Sequence, residues 1–216
     1  MVDVDTQIDL LVASGANCIK NHRRVLMNIR RIVAWARVKD IKSVSTVLCR
    51  PQNNASHCCI AGTAGQKKVS YTLRRNRVGF ESCNSTDLAR DLLNNYEQII
   101  LSKRVDDPFE EPRAERLLTE LRADEFIIIG APAEGAVTTT VLGLLQRGKR
   151  VVAVTDAIGC YDRKNADVEF RKWQAKGAIL VETKDLAGAT HLKTAGICNC
   201  KICNMTEKEY QTQVSA

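Results

Sequence analysis

Residues 124–156 read DEFIIIGAPAEGAVTTTVLGLLQRGKRVVAVTD, and this stretch decides the fold. It predicts a strand at 125–129, a helix at 135–147 and a second strand at 150–155, joined by short turns that contain Gly130 and Gly148. Both strands are continuous apolar runs, as expected when helices cover both faces of a parallel sheet. The stretch therefore predicts a strand–helix–strand unit of a doubly wound α/β protein.

The same alternation of strands and helices continues on both sides of this unit. The other predicted strands lie at 1–11, 43–48, 98–101 and 178–182, and the other predicted helices at 21–38 (capped by Asn21), 86–95, 113–122 and 163–176. Six strands and their helices predict a three-layer α/β/α fold with a mainly parallel, doubly wound sheet. Residues 49–84 show no long helical pattern, and an irregular stretch of this length favours a site-forming insertion.

Length and charge exclude several classes of protein. The chain of 216 residues has room for one sizeable core, and its 44% hydrophobic content is that of a folded protein. The formal net charge is +7, but the basic residues are scattered in pairs and aromatic residues make up only 5%, so we expect no nucleic-acid partner. The apolar runs are far shorter than the roughly 20 residues of a membrane span, and the first residues do not resemble a secretory signal. We therefore expect a cytoplasmic protein that does not bind membranes.

Nine cysteines are many for such a protein, and their odd number argues against a complete disulfide framework. Three of them, Cys198, Cys200 and Cys203, fall close together near the end of the chain. They form a zinc site if a fourth ligand joins them, and otherwise they are free thiols in a tail. We predict a domain over residues 1–186 and a Cys-containing tail over 187–216, and we expect no cofactor other than this zinc.

Polar residues follow several of the predicted strands. Because the carboxyl ends of parallel strands meet at one edge of a sheet, Asp5, Lys103, residues 130–137 and Asp156 are expected to gather on one rim. An Asp and a Lys at such a rim can form a reaction centre, or they can be a salt bridge that serves the fold. The spacing of the residues leaves both interpretations open.

Five motifs in a fixed order carry a resemblance to a known family. They are Val4-Asp5-Thr-Gln7-Ile-Asp9, His57-Cys58-Cys59-Ile-Ala-Gly62-Thr63-Ala-Gly65, Ile100-Leu-Ser-Lys103 with Phe109 after it, residues 124–130 and residues 150–157. Together they resemble the isochorismatase-like hydrolase superfamily, and the second motif is similar to that of its nicotinamidase-related branch. The resemblance covers most of residues 1–186. It implies a three-layer fold, a small-molecule substrate, a homo-oligomer and a catalytic trio of Asp, Lys and Cys whose thiolate attacks an amide carbonyl.

The resemblance places Asp5 and Lys103 in the roles of the catalytic Asp and Lys. It places the nucleophile at Ala136, which has no nucleophilic atom. No cysteine stands between Cys83 and Cys160 that a shifted alignment would bring to this position. The sequence therefore predicts that hydrolysis through a thioester has been lost.

Ligand contacts are predicted around the same rim, at Gln7, Phe109, Ala133 and Glu134. Arg50 either meets a substrate carboxylate with two hydrogen bonds or is a solvated loop arginine.

The resemblance also implies a divalent metal, which the nicotinamidase branch binds through Asp-x-His after its second strand and through the His of its His-Cys motif. Here the first positions are Leu48-Cys49-Arg50, so only His57 is kept. The neighbouring Cys58 and Cys59 are not expected to join it, because adjacent residues on one loop rarely all point inward.

Two main functions follow from these observations. The first is a degenerate hydrolase that binds a small molecule or packs as a subunit against a partner, since both the nucleophile and most metal ligands are missing. The second is a hydrolase without a nucleophile, in which Asp5, aided by Lys103, protonates a vinyl ether as the resemblance implies for isochorismatases. The stretch Ala131-Pro-Ala-Glu134 departs from the Val-Tyr-Ala-His of that branch, so binding is favoured. A weaker third hypothesis is a metal or redox sensor that acts through the Cys tail.

Overall fold

Seven parallel strands form one sheet in the structure, a computed structural model that describes residues 1–53 and 57–188. The strands are β1 Val2–Val4, β2 Ser43–Leu48, β3 Arg77–Phe80, β4 Gln98–Lys103, β5 Phe126–Gly130, β6 Val151–Ile158 and β7 Ile179–Val181. Their order is β3-β4-β2-β1-β5-β6-β7, and every pair is parallel. The predicted doubly wound α/β sheet is thus confirmed.

Helices cover both faces of this sheet. They are α1 Ile8–Leu11, α2 His22–Val38, α3 Leu92–Asn95, α4 Pro112–Glu120, α5 Thr138–Gln146, α6 Arg163–Ala175 and α7 Thr183–Ala187. One core cluster joins the sheet to α1, α2 and α7, and the other joins it to α3, α4, α5 and α6. With a core on each side, the central strands are buried on both faces, which explains their continuous apolar sequences. None of the described helices is long and apolar enough to cross a membrane.

Two predicted elements were wrong. The prediction of six strands missed β3, an edge strand with the sequence RVGF whose residues are exposed or half-buried, so it lacks the apolar run that marks the inner strands. The predicted strand over residues 1–11 ends at Val4, because Asp5 takes a left-handed conformation with φ 47° and residues 8–11 turn into α1. Asn21 precedes α2 but does not cap it, since its side-chain oxygen accepts from the Cys160 N–H at 3.2 Å.

The order of the strands reverses around β1, which lies between β2 and β5. At the carboxyl ends of β1 and β5, Val4 is paired with Gly130, and the Ala131 N–H donates to the Val4 carbonyl at 3.0 Å. A Cβ at Gly130, where φ is 131°, would lie 1.9 Å from the Val4 oxygen, so this close approach requires glycine. The pairing sets Asp5 beside residues 131–137, at the point where doubly wound sheets bind ligands.

Candidate active site

Asp5 and Lys103 meet in a buried ion pair at this edge of the sheet. Lys103 Nζ lies 2.7 Å from Asp5 Oδ2, and both side chains are 0% exposed. The hydroxyl of Thr46 donates to the other carboxylate oxygen at 2.7 Å. The carboxylate is thus held by a cation at one oxygen and by a hydroxyl donor at the other.

The remaining hydrogens of Lys103 hold the loop that follows β4. Lys103 Nζ donates to the carbonyls of Val105 and Asp106, each at 3.0 Å. The Asp106 carbonyl also accepts from the Thr139 hydroxyl at 3.3 Å, at the start of α5. The ammonium group thus links the end of β1, the loop after β4 and the beginning of α5.

Ala136 lies in the turn between β5 and α5 and is fully buried. Residues 133–137 form a π-helical turn in which Gly135 departs from helical geometry, with φ −138° and ψ −106°. The Asp106 carboxylate lies over Gly135, close enough that a Cβ there would come within 3.1 Å of Asp106 Oδ2. The position that the resemblance assigns to the nucleophile therefore lies at the predicted rim, with a methyl group in place of a thiol.

The predicted ligand contacts occupy different environments. Gln7 is fully buried, where its amide donates to the carbonyls of Leu48 and Gln66 and accepts from the Leu48 N–H. The Phe109 ring packs on α5, where a Cβ at Gly143 would overlap it and the Arg147 guanidinium stacks over it. These contacts fix loops around the site.

Ala133 and Glu134 lie in the turn itself. Ala133 is buried, and its N–H donates to the Gly159 carbonyl at 2.7 Å. Glu134 Oε1 accepts from the Asp162 N–H at 2.8 Å, whereas its buried Oε2 has no hydrogen-bond partner among the described residues. Asp156 does not join the site, because its side chain accepts from the N–H and hydroxyl of Thr183 at the start of α7.

The residues at the metal-ligand positions implied by the resemblance do not fit a metal ion. Arg50, a cation, lies 3.6 Å from Asp106 Oδ1. Burial raises the pKa of Cys49, with a contribution from the charge of Glu81, so this thiol is held neutral. His57 is exposed and belongs to none of the ligand clusters among the described residues. Cys198, Cys200 and Cys203 lie outside the described residues, so the predicted zinc there stays a prediction.

A different cluster was missed by the sequence reasoning, which expected neighbouring cysteines to diverge. Cys58 and Cys59 both point inward and lie beside Asp9, with their sulfur atoms 3.4 Å apart. The hydrogen bond between the two thiols lowers the pKa of Cys58, against the opposing effect of burial. The same hydrogen bond and burial raise the pKa of Cys59, and the nearby charge of Asp5 adds to this effect.

Tyr161 and Cys160 follow β6 on the same edge. Burial raises the pKa of Tyr161, with further contributions from the charges of Cys58, Cys59, Asp106 and Glu134. Burial and Glu134 likewise raise the pKa of Cys160. Both groups are therefore neutral at physiological pH, and Cys160 lies in the core cluster that packs against α3 to α6.

A concavity opens at the opposite edge of the sheet, by the amino ends of the strands. Its volume is about 930 Å³, and its lining includes Val2, Leu92, Phe126, Arg90 and Ala123. Neither Asp5 nor Lys103 lines this concavity, so substitutions in its lining can serve as controls for binding at the carboxyl edge.

Comparison with known proteins identifies the class. A pyrazinamidase of Pyrococcus horikoshii, solved in complex with zinc, is similar to this chain. The similarity covers 84% of this chain and 97% of that one, with 19% identity and a TM-score of 0.64. It is similar to a cysteine hydrolase from Pseudomonas syringae pv. phaseolicola over 90% of this chain and 92% of that one, with 12% identity and a TM-score of 0.68. PnC1 from L. infantum, solved in complex with nicotinate, is similar over 85% of this chain and 91% of that one, with 16% identity and a TM-score of 0.65. These structures share the α/β fold of this chain.

The isochorismatase domain matches residues 1–185 as a family model, so this chain belongs to the isochorismatase family. A comparison with curated proteins finds no match.

Proposed function

We propose that this protein is a small-molecule-binding member of the isochorismatase family that has lost hydrolysis through a thioester. One observation carries the proposal: the buried Asp5–Lys103 pair is intact at 2.7 Å, yet the position that the resemblance assigns to the nucleophile, in the turn after β5, holds the buried methyl group of Ala136. Without a nucleophilic atom there, no covalent intermediate forms at this position.

Two other thiols, Cys160 and Cys59, do not replace the missing one. Cys160 lies in the core cluster beyond the turn, and burial and the charge of Glu134 raise its pKa. Cys59 is close enough to Asp5 to be affected by its charge, but its pKa is also raised. A neutral, buried thiol is a poor nucleophile.

The second candidate, acid-driven cleavage by Asp5, is less well supported. A general acid must deliver a proton, whereas both oxygens of Asp5 accept hydrogen bonds or contact a cation. The same contacts suit a positioning role, because the Lys103 ammonium holds together the end of β1, the loop after β4 and the start of α5.

For the ligand we propose a small planar carboxylate or carboxamide. The neighbours support this class, since one is solved with nicotinate and another is a pyrazinamidase. Arg50 is half-buried at the rim and offers a planar guanidinium to a carboxylate, and the unpartnered Glu134 Oε2 offers an acceptor to an amide.

Calorimetry and turnover assays test the proposal with nicotinate, nicotinamide and isochorismate. We expect the wild type to bind at least one of the three without converting it. Arg50→Gln should weaken carboxylate binding about tenfold or more, in line with the loss of one charge-assisted contact. Ala123→Trp, which fills the concavity at the opposite edge, is the control and should leave the affinity unchanged. Turnover by the wild type that disappears in Asp5→Asn would overturn the proposal in favour of acid-driven hydrolysis.

Restoring the thiol tests the role of position 136. We expect Ala136→Cys to gain slow hydrolysis of nicotinamide, because Asp5 is then available as a base for the new thiol. Ala133→Cys places a thiol at another buried position of the same turn and should remain inactive. Equal inactivity of both variants, with folding retained, would show that position 136 is not the nucleophile position.

A further inference from the structure

The cluster of Cys58, Cys59 and Asp9 has the composition of a metal site and takes no part in the proposed function. The three residues are 1%, 0% and 7% exposed. Their ligand atoms all lie within 4.8 Å of one another, and they are the group of three such side chains that the described residues bring together.

Local backbone geometry creates this convergence. Consecutive side chains of an extended chain point to opposite sides. Here Cys59 takes a left-handed conformation, with φ 56°, and His57 before the pair does the same, with φ 48°. Such a conformation is uncommon for a residue with a side chain, and it persists only where the surroundings impose it. The left-handed conformation of Cys59 places its sulfur atom on the same side of the chain as that of Cys58.

The carboxylate of Asp9 is held in place before any ligand arrives. The Cys59 N–H donates to Asp9 Oδ2 at 2.7 Å, and the Ala16 N–H donates to Oδ1 at 3.0 Å. The backbone of Gly65 packs directly on the group, since a Cβ there would lie 2.1 Å from Asp9 Oδ1. Hydrogen bonds of this kind orient carboxylates that bind metals, and each oxygen keeps a lone pair for coordination.

We propose that Cys58, Cys59 and Asp9 bind a single thiophilic divalent ion of the zinc class, with a fourth coordination position left open. Two thiolates on one zinc ion, each at about 2.3 Å, lie about 3.4–3.8 Å apart for angles between about 95° and the tetrahedral value. The observed separation of 3.4 Å falls in this range. Sulfur ligands select zinc-like ions over magnesium and calcium, which prefer oxygen.

Binding converts two thiols into thiolates and releases two protons for each ion bound. The three ligands then carry three negative charges against two on the ion. Arg50 compensates the excess, because its backbone N–H donates to the Cys59 carbonyl at 2.9 Å and places this cationic residue next to the pair. This ligand set differs from the His57 site and from the tail site that the sequence predicts.

Cobalt(II) is the probe, because thiolate coordination gives it a charge-transfer absorption that oxygen ligands do not give. The full chain carries Cys198→Ser, Cys200→Ser and Cys203→Ser together and is kept reduced, so the tail contributes no thiolate. We expect one equivalent of cobalt to bind with this absorption and to be displaced by zinc. Cys58→Ser with Cys59→Ser should abolish the absorption, Asp9→Asn should weaken binding about tenfold or more, and the control Cys18→Ser should bind as the parent does.

A second measurement does not depend on the folding of variants. The wild-type chain is alkylated with and without zinc, for long enough that the buried pair reacts in the metal-free chain, and the modified cysteines are identified by mass spectrometry. Zinc should protect Cys58 and Cys59 but leave the rate at Cys18, which lies outside the cluster, unchanged. Equal alkylation of the pair with and without zinc, or a cobalt spectrum that persists in the double serine variant, would overturn the proposal.

Discussion

Removal of the Lys103 ammonium group is the most direct test of how the site is built. In Lys103→Met the side chain keeps a similar length, so the change removes charge and hydrogen bonds more than packing. Asp5 is then left as a fully buried carboxylate with only the Thr46 hydroxyl as donor. The Val105 carbonyl loses this donor in the same step, and the Asp106 carbonyl keeps the Thr139 hydroxyl.

The contacts set the size of the effect. Removing one partner of a buried ion pair costs about 3–5 kcal/mol, because the other charge remains buried. We therefore expect a loss of about 4 kcal/mol in the free energy of unfolding. For a domain of this size, this corresponds to a fall of roughly 8–16 °C in Tm. Adding Asp5→Asn removes the unpaired charge, so the double variant should recover about 1–3 kcal/mol relative to Lys103→Met alone.

Urea unfolding with linear extrapolation measures the free energy of unfolding of the wild type, of Lys103→Met and of the double variant. Arg163→Met is the matched control, because its pair with Asp167 at 3.0 Å has side-chain exposures of 73% and 40%, and its removal should change stability little. The reasoning is refuted if Lys103→Met unfolds within about 1 kcal/mol of the wild type. It is also refuted if the double variant is no more stable than Lys103→Met.

The remaining predictions concern stability and pH. Lys68→Met breaks a second buried pair, with Asp3 at 2.9 Å, and urea unfolding should show a similar loss while calorimetry shows unchanged ligand affinity. Gly130→Ala should cost about 3 kcal/mol by the same assay, from backbone strain and overlap with the β1 carbonyl, whereas Gly148→Ala, with open space around it, should cost about 1 kcal/mol. Because burial raises the pKa of Tyr161, the stability from its neutral phenol is intact below the unfolded value of about 10 and is lost as the pH rises above it. The wild type should therefore lose more stability than Tyr161→Phe between about pH 9 and about pH 11.

Much of the fold can be predicted from the sequence, because the residues that fill the two cores form apolar patterns along the chain. The strand at Phe126–Gly130 and the helix at His22–Val38 are set by apolar periodicity, which depends only on neighbours along the chain. The edge strand Arg77–Phe80 has no such apolar pattern, because hydrogen bonds to β4 rather than burial define it. The same rule of parallel sheets brought Asp5 and Lys103 together in prediction and in the structure.

Residue identity and strand order were enough to predict the class of fold, the rim where the candidate site lies and the absence of a thiol at Ala136. Which side chains converge at that rim depends on the tertiary structure. Two adjacent cysteines meet Asp9 only because Cys59 takes a left-handed conformation. The Gln7 amide is fully hydrogen-bonded to backbone groups of distant segments. Such outcomes depend on single backbone angles and on contacts between residues 40 to 60 positions apart, and no local pattern of sequence encodes them.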